Sequence, residues 1–172
     1  LSSSSAASDV YKRQGSWVNI FTYKQFSLLA DISFTVGGDL YNHTRKILES
    51  MSGFENQSTA TLRRWQVDGH ETDIPTAAWG DPMGNSRFSD RWIEDGTYVR
   101  LKRLTFTFNL DQWLKSLNNP EFYITGINLI TFTRYLGYDP EFAYNSSILW
   151  EGIDYLLFPQ NRTIMLGVKI GL

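Results

Sequence analysis

The sequence predicts an all-β chain whose antiparallel strands form an arc of a transmembrane β-barrel. Three observations point there. Several segments of about ten residues alternate apolar with polar side chains, the period of a β-strand, whose side chains point to its two faces in turn. These segments are near the ~9–11 residues that a tilted membrane strand requires, against ~5–6 in ordinary sheets. The connections between them are alternately short and very long.

Composition is compatible with that class and excludes several others. The 172 residues are 42% hydrophobic and 15% aromatic, yet no run of ~20 apolar residues occurs, so no transmembrane helix is expected. A membrane strand needs only alternation and hides from hydropathy windows. The net charge of −2, with no basic patch, gives no case for nucleic acid. The absence of cysteine excludes a disulfide framework or thiolate metal site.

Element by element, the chain opens on LSSSSAASDVYKRQ, which lacks the basic start and apolar core of a signal peptide. It resembles the translated remnant of a sequencing-library adapter, so residues 1–14 are set aside as a non-native or disordered tail and residues 15–172 are read as barrel. The chain is then expected to begin mid-protein. Ser16 to Phe21 reads as the end of one strand, and TYKQ as a short turn. From Gln25 to Gly38, Phe26, Leu28, Ala30, Ile32, Phe34 and Val36 take one face. Ser27, Asp31, Ser33 and Thr35 take the other, with Leu29 the exception. LYNHTRKILES, residues 40–50, reads as a short helix, followed to about Asp95 by loop rich in Gly, Asp, Asn and Trp.

Thr97 to Leu110 is the next strand, with Leu104, Phe106, Phe108 and Leu110 opposed to Arg103, Thr105, Thr107 and Asn109. DQWLKSLNNPE forms a compact turn containing one helical turn. Glu121 to Thr133 is a strand with weaker alternation, and residues 134–160 form a second long loop. Arg162 to Leu172 sets Ile164, Leu166, Val168, Ile170 and Leu172 against Thr163, Met165, Gly167, Lys169 and Gly171.

The connections decide what solvent the apolar faces meet. Successive antiparallel strands place their connections at alternate ends, so every short turn falls on one end of the sheet and every long loop on the other. Outer-membrane barrels show that asymmetry, whereas structureless loops of such length are uncommon in compact soluble domains. About four complete strands and one partial strand cannot close a barrel, since small single-chain barrels have about eight. An open sheet edge in lipid is not tolerated. The chain is therefore expected to be a fragment of a larger barrel.

The residues now carry a resemblance. FSDRWIEDGTYVRLKRLTFTFNL, FYITGINLITFTRYLGYDPEF and GIDYLLFPQNRTIMLGVKIGL, in that order, resemble the C-terminal signature of the SusC/RagA family of TonB-linked outer-membrane receptors. RRWQVDGHETDIP and FSLLADISFTVGGDLYN share the likeness, which covers about residue 17 to 172. The resemblance implies the last four to five strands of a 22-stranded barrel with long extracellular loops. It implies a TonB-dependent transporter in the cell outer membrane that imports oligosaccharides or peptides with a SusD-like surface lipoprotein. The TonB complex would act through a missing N-terminal part. Barrels of this kind usually end in an aromatic residue, and here Leu172 stands instead with its parity on the apolar face.

Candidate site residues follow from parity and loops. Phe34, Leu104, Phe106, Phe108, Ile164, Leu166, Val168 and Ile170 are expected to face lipid. Asp31, Arg103, Thr105, Asn109 and Lys169 are expected to face the lumen. Asp68, His70, Glu71 and Asp73 have metal-ligand chemistry, but a Gly- and Pro-turned polar loop explains them better. The family usually carries a similar Gly-Asp-x-Thr-Asp-Ile-Pro run there. Glu94 and Asp95 are read as solvated rim charges, since adjacent residues on an extended chain point apart and make a poor catalytic pair.

Trp65, Trp79, Trp92, Tyr98, Tyr135, Tyr138, Tyr144 and Trp150 lie in long loops or at strand ends. Rings near strand ends suit an interfacial girdle, and Trp65 and Trp79 are the foremost candidates for stacking on a ligand. No catalytic constellation, metal or cofactor is expected, and the chain reads as a transporter part and not an enzyme. The rival reading is a soluble carbohydrate-binding β-sandwich module, but such a domain shows turn signals every 8–12 residues.

Overall fold

The computed structural model describes residues 13–115, 117–141 and 152–171. The expected positions Tyr144, Trp150 and Leu172 lie outside them. The described residues form two units. One comprises Arg13 to Gly38, Gly96 to Arg134 and Pro159 onward; the other comprises Asp39–Asp95 and residues from Tyr135 to Phe158.

The first unit is a single antiparallel sheet of β1 (Arg13–Tyr23), β2 (Phe26–Val36), β5 (Tyr98–Asn109), β6 (Asn118–Thr133) and β8 (Thr163–Gly171), neighbours in that order. It is a plain meander, the order of a barrel wall and not of a Greek-key sandwich. β1 runs longer at both ends than the sequence suggests and starts two residues inside the segment set aside. β1 and β2 join through a two-residue hairpin in which Lys24 takes the left-handed conformation (φ 52°) that such tight loops need.

The β5–β6 turn contains one helical turn, with the N–H groups of Trp113 and Leu114 both donating to the Leu110 carbonyl. The two long connections both leave from the opposite end, where Thr35 pairs with Tyr98 and Tyr98 with Thr133.

Register turns alternation into two complete faces. On the first, successive rows across the strands read Trp17–Ile32–Leu101–Ile130, then Asn19–Ala30–Leu104–Gly126–Ile164, then Phe21–Leu28–Phe106–Ile124–Leu166, then Tyr23–Phe26–Phe108–Phe122–Val168. The last row is a belt of four rings on adjacent strands at the short-turn end, with Phe26 and Phe108 stacked at 4.9 Å. Phe34 stands eight residues from Phe26, or about 26 Å along the strand at ~3.3 Å per residue. That matches the apolar band of an outer-membrane barrel, ~25 Å tall, before tilt shortens it.

The opposite face reads Ser16–Ser33–Arg100–Thr131, Val18–Asp31–Arg103–Ile127, Ile20–Leu29–Thr105–Thr125–Met165 and Thr22–Ser27–Thr107–Tyr123–Gly167, so it is mixed, with polar and charged side chains concentrated on β2 and β5.

One irregularity in the ladder, at Lys102, was not expected. The β5–β6 register shifts between Leu101 and Arg103, leaving Lys102 on β5 and Asn128 and Leu129 on β6 without Cα partners; Asn128 takes φ 53°. This bulge explains the weak alternation of β6. It also returns Val99 and Leu101 to the apolar face and turns Tyr98 and Arg100 to the polar one, which strict alternation would have reversed.

The second unit gives the long connections a structure of their own. A three-stranded sheet orders β4 (Ile93–Asp95), β3 (Asp39–Asn42) and β7 (Ile153–Asp154), with β7 parallel to β3. Helix α1 (His43–Glu49) follows β3 directly, and 3₁₀ turns form at Thr59–Arg63 and Asp90–Trp92. Both connections were read as mainly loop; β7 pairing with β3 joins them into one body.

Candidate functional site

Asn42 sits at the start of the second unit's framework. Its Oδ1 accepts from the Arg45 N–H at 2.7 Å and caps α1, while its Nδ2 donates to Glu94 Oε1 at 3.2 Å. Glu94 also accepts from Arg45 Nη1 at 3.1 Å and, through Oε2, from the Leu136 N–H at 2.8 Å. One carboxylate thus ties together β3, α1, β4 and the second connection. The expectation of a solvated rim charge is corrected: the Glu94 side chain is nearly buried, because three donors from three segments, Asn42, Arg45 and Leu136, converge on it.

Arg45 also donates to Glu49 at 2.8 Å, and Glu49 accepts from Arg91 at 3.3 Å. Burial opposes the Arg45 charge, but the bonded carboxylates of Glu49 and Glu94 more than offset it and raise the guanidinium's pKa above its usual value. Trp92 is fully buried, its ring under the Arg91 guanidinium at 4.6 Å and its Nε1 donating to the Arg87 carbonyl. On the other side of α1, Tyr135 donates to Asp154 Oδ2 at 2.5 Å. Thr44 donates to Asp154 Oδ1 at 3.1 Å and accepts from the Leu156 N–H at 2.7 Å. Burial, with the Asp154 carboxylate, pushes the Tyr135 phenol well above its ordinary pKa.

Trp92 and Tyr135 are therefore framework of the second unit, and Tyr98 lies under Arg100 on the polar face of the first unit's sheet; contrary to the expectation of interfacial rings, all three are buried. Trp79 is 67% exposed and pairs with the still more exposed Phe54 at 4.5 Å, while Trp65 is 38% exposed. Near Trp65 the turn is held by backbone bonds, Trp65 N–H to the Ile74 carbonyl and His70 N–H to the Val67 carbonyl. Asp73 meets Arg63 at 3.4 Å with both side chains largely exposed. Among the described residues, no three of His, Cys, Asp and Glu gather as metal ligands.

The sequence missed a second aromatic group. Phe88 stacks on Tyr41 at 4.7 Å, Tyr41 lies 6.0 Å from the His43 ring, and His43 lies 4.8 Å from Tyr155. Tyr41 and His43 flank the inward Asn42 in strand alternation, which is a visible signal. Phe88 and Tyr155 join from distant segments and leave none.

In the first unit, the five polar-face candidates share one face. Asp31 and Arg103 stand 3.6 Å apart, Thr105 and Thr125 share a 3.0 Å hydroxyl contact, and Lys169 meets Glu121 at 3.4 Å. Asn109 has the same parity, but its Oδ1 is engaged by the Asp111 N–H of its own turn. Phe34, Leu104, Phe106, Phe108, Ile164, Leu166 and Val168 share the apolar face, and Ile170 continues their parity. Their rings and chains are half or more exposed at Ile164, Leu166, Val168 and Ile170.

No protein-family model matches the chain. Among curated proteins, TonB-dependent receptor P3 of Formosa agariphila is 34% identical over 163 residues, covering 88% of this chain and 15% of that protein. TonB-dependent receptor P26 of the same organism is 26% identical over 159 residues, covering 88% and 16%. Among solved structures, the RagAB peptide importer in its "closed-closed" state aligns with a TM-score of 0.74 at 25% identity, over 91% of this chain and 17% of that one. The RagAB peptide transporter aligns at 0.69 and 27% identity, over 87% and 16%. The chain thus spans about a sixth of the length of the proteins it matches.

Proposed function

We propose, from the premise that this chain belongs to the TonB-dependent receptors and supplies part of their outer-membrane barrel, that the complete receptor imports oligosaccharides or peptides with a SusD-like lipoprotein. The observation that carries the reading is the division of one five-stranded sheet into an apolar face belted with rings and a polar face of paired charges. That is how a wall between lipid and a wet lumen is built. In this reading Phe34, Leu104, Phe106, Phe108, Ile164, Leu166, Val168 and Ile170 meet lipid. Asp31, Arg103, Thr105, Asn109 and Lys169 line the interior, where they contact the plug or channel water. The chain takes the C-terminal strands of the barrel, and uptake draws energy from the TonB complex through a part of the receptor outside this sequence.

The long connections supply the ligand-facing side. Trp79, largely exposed beside Phe54, and the part-buried Trp65 serve as stacking surfaces for the ligand. The likeness to a peptide importer keeps both substrate classes in play. The test is growth of the source bacterium, with and without the receptor gene, on single oligosaccharide or peptide nutrients. Loss of growth on at least one, restored by the intact gene and abolished by removing TonB, is expected. Unimpaired growth on every nutrient would overturn the import reading. Trp65→Ala with Trp79→Ala should weaken binding of the nutrient so identified by about tenfold, and unchanged affinity would remove these two residues from the site.

A further inference from the structure

The row Phe88–Tyr41–His43–Tyr155 is assembled by the fold from three separate segments. Parallel pairing sets Tyr41 opposite Ile153 and Asn42 opposite Asp154. One step further along the same register, the His43 and Tyr155 rings meet. The alternate residues, Asn42 and Asp154, turn inward and are buried in the hydrogen-bond framework. Tyr41 therefore lies on the other face of the small sheet from Asn42, with His43 at the start of α1 and Tyr155 just past β7, so neither connection alone could assemble the row. Phe88 completes the row on Tyr41 at an interplanar angle of 23°. Four residues later the chain buries Trp92 completely, yet Phe88 stays 75% exposed and Tyr155 41%.

We propose that this row is a stacking site for the sugar rings of an extended, uncharged oligosaccharide. The proposal rests on the import reading and deepens it by assigning a site and a ligand class. Sugar rings present C–H faces that lie against an aromatic face and hydroxyls that need partners at the edge. The row offers both: Phe88 is a bare face, and Tyr41, His43 and Tyr155 each carry a polar tip. None of the four carries a formal charge at neutral pH, since burial and the nearby Lys46 ammonium hold the His43 imidazole below its usual pKa. On the same parity as Tyr41, Asp39 stands on β3 and offers a carboxylate acceptor to hydroxyl groups. A site of this kind, with an apolar floor and a few polar groups, selects ligands by orientation as well as by area.

The test uses the complete receptor with its lipoprotein in detergent, titrated calorimetrically with neutral hexasaccharides of glucose, xylose and mannose and with neutral and lysine-containing hexapeptides. At least one hexasaccharide should bind. Phe88→Ala and Tyr155→Ala should each weaken it about tenfold or more, and Phe88→Trp should restore it. Limited proteolysis of the connections should be unchanged in all three variants, which separates a lost contact from a lost fold.

Equal sugar affinity in the alanine variants overturns the proposal. So does binding of peptides alone, absence of sugar binding to the unaltered receptor, or loss of the lipoprotein from Phe88→Ala, which would make the row a protein-docking surface. Each of these leaves the gene-deletion result, and with it the import reading, intact.

Discussion

Glu94 receives Arg45 Nη1 at 3.1 Å with one carboxylate oxygen and the Leu136 N–H at 2.8 Å with the other. The first contact spans the interior of one connection and the second reaches the other, so a single side chain fastens two segments 42 residues apart in sequence. Glu94→Ala leaves a partly buried guanidinium and a backbone N–H without this acceptor. Removing one partner of a fully buried ion pair costs ~3–5 kcal/mol, and the partial exposure of Arg45 lowers this to about 2 kcal/mol. Amide hydrogen exchange at Leu136 in the complete receptor should accelerate roughly thirtyfold. Glu94→Gln, which keeps an acceptor and loses the charge, should fall between. Exchange unchanged in the alanine variant would mean that Glu94 does not hold the connections together.

Tyr135→Phe keeps the ring and removes the donor to buried Asp154, whose remaining side-chain partner is Thr44 at 3.1 Å. A hydrogen bond to a charged acceptor is worth ~1.5–3 kcal/mol, so the connections should be cleaved by protease about tenfold faster or more in this variant. The folded pKa of Tyr135 lies above its unfolded value near 10. Its contribution is therefore complete below pH 10 and is lost only as pH rises beyond. The difference between the two proteins should stay flat from pH 7 to about 10 and shrink above it.

The sheet was legible and its exceptions were not. Period-two alternation marks Phe26 to Val36, Leu104 to Phe108 and Ile164 to Val168, because β2 keeps one register with β1 throughout and the other two stretches lie clear of any register shift. At Lys102 and at Asn128–Leu129 the ladder slips, and a slip depends on which strands pair, which periodicity does not contain. Arg100 shows the consequence. Strict alternation groups it with Phe106, whereas the fold pairs it with Ser33 and buries it over the Tyr98 ring on the polar face.

In the long connections the limit is sequence distance. Asn42 as a helix cap depends on residues three apart and could be read locally. The role of Glu94 depends on Asn42 and Leu136, and the ring row depends on Phe88 and Tyr155, which no local pattern links to Tyr41. Trp79 was found because it is a tryptophan in a loop, but its partner Phe54 was not.

His43 makes the connections sensitive to acid. Its folded pKa is lowered, first by burial and then by Lys46, below an unfolded value near 6.5. A depressed pKa contributes stability that is complete above the unfolded value and is lost as pH falls through the folded one. Protease cleavage of the connections should therefore rise as pH falls below about 6.5 in the unaltered receptor. His43→Gln should remove that rise while leaving the steeper, carboxylate-driven loss at lower pH. Parallel curves for the two proteins would show that His43 does not carry the response.

The two faces of β5 give the sharpest test of which side meets lipid. Thr105 sits between Leu29 and Thr125 on the polar face, and Phe106 sits between Leu28 and Ile124 on the apolar one. The two positions are adjacent in sequence and lie mid-strand, so they share depth and differ only in direction. An arginine on the lipid side at mid-bilayer costs ~2–4 kcal/mol. On the lumen side it remains in water, with Asp31 and Arg103 already pairing at 3.6 Å nearby on that face. In the complete receptor Thr105→Arg should reach the outer membrane at near-normal abundance, losing only the 3.0 Å hydroxyl contact to Thr125. Phe106→Arg should lower the folded, heat-modifiable band several-fold. Equal abundance of the two variants, or the reverse order, would require the apolar rows to meet something other than lipid.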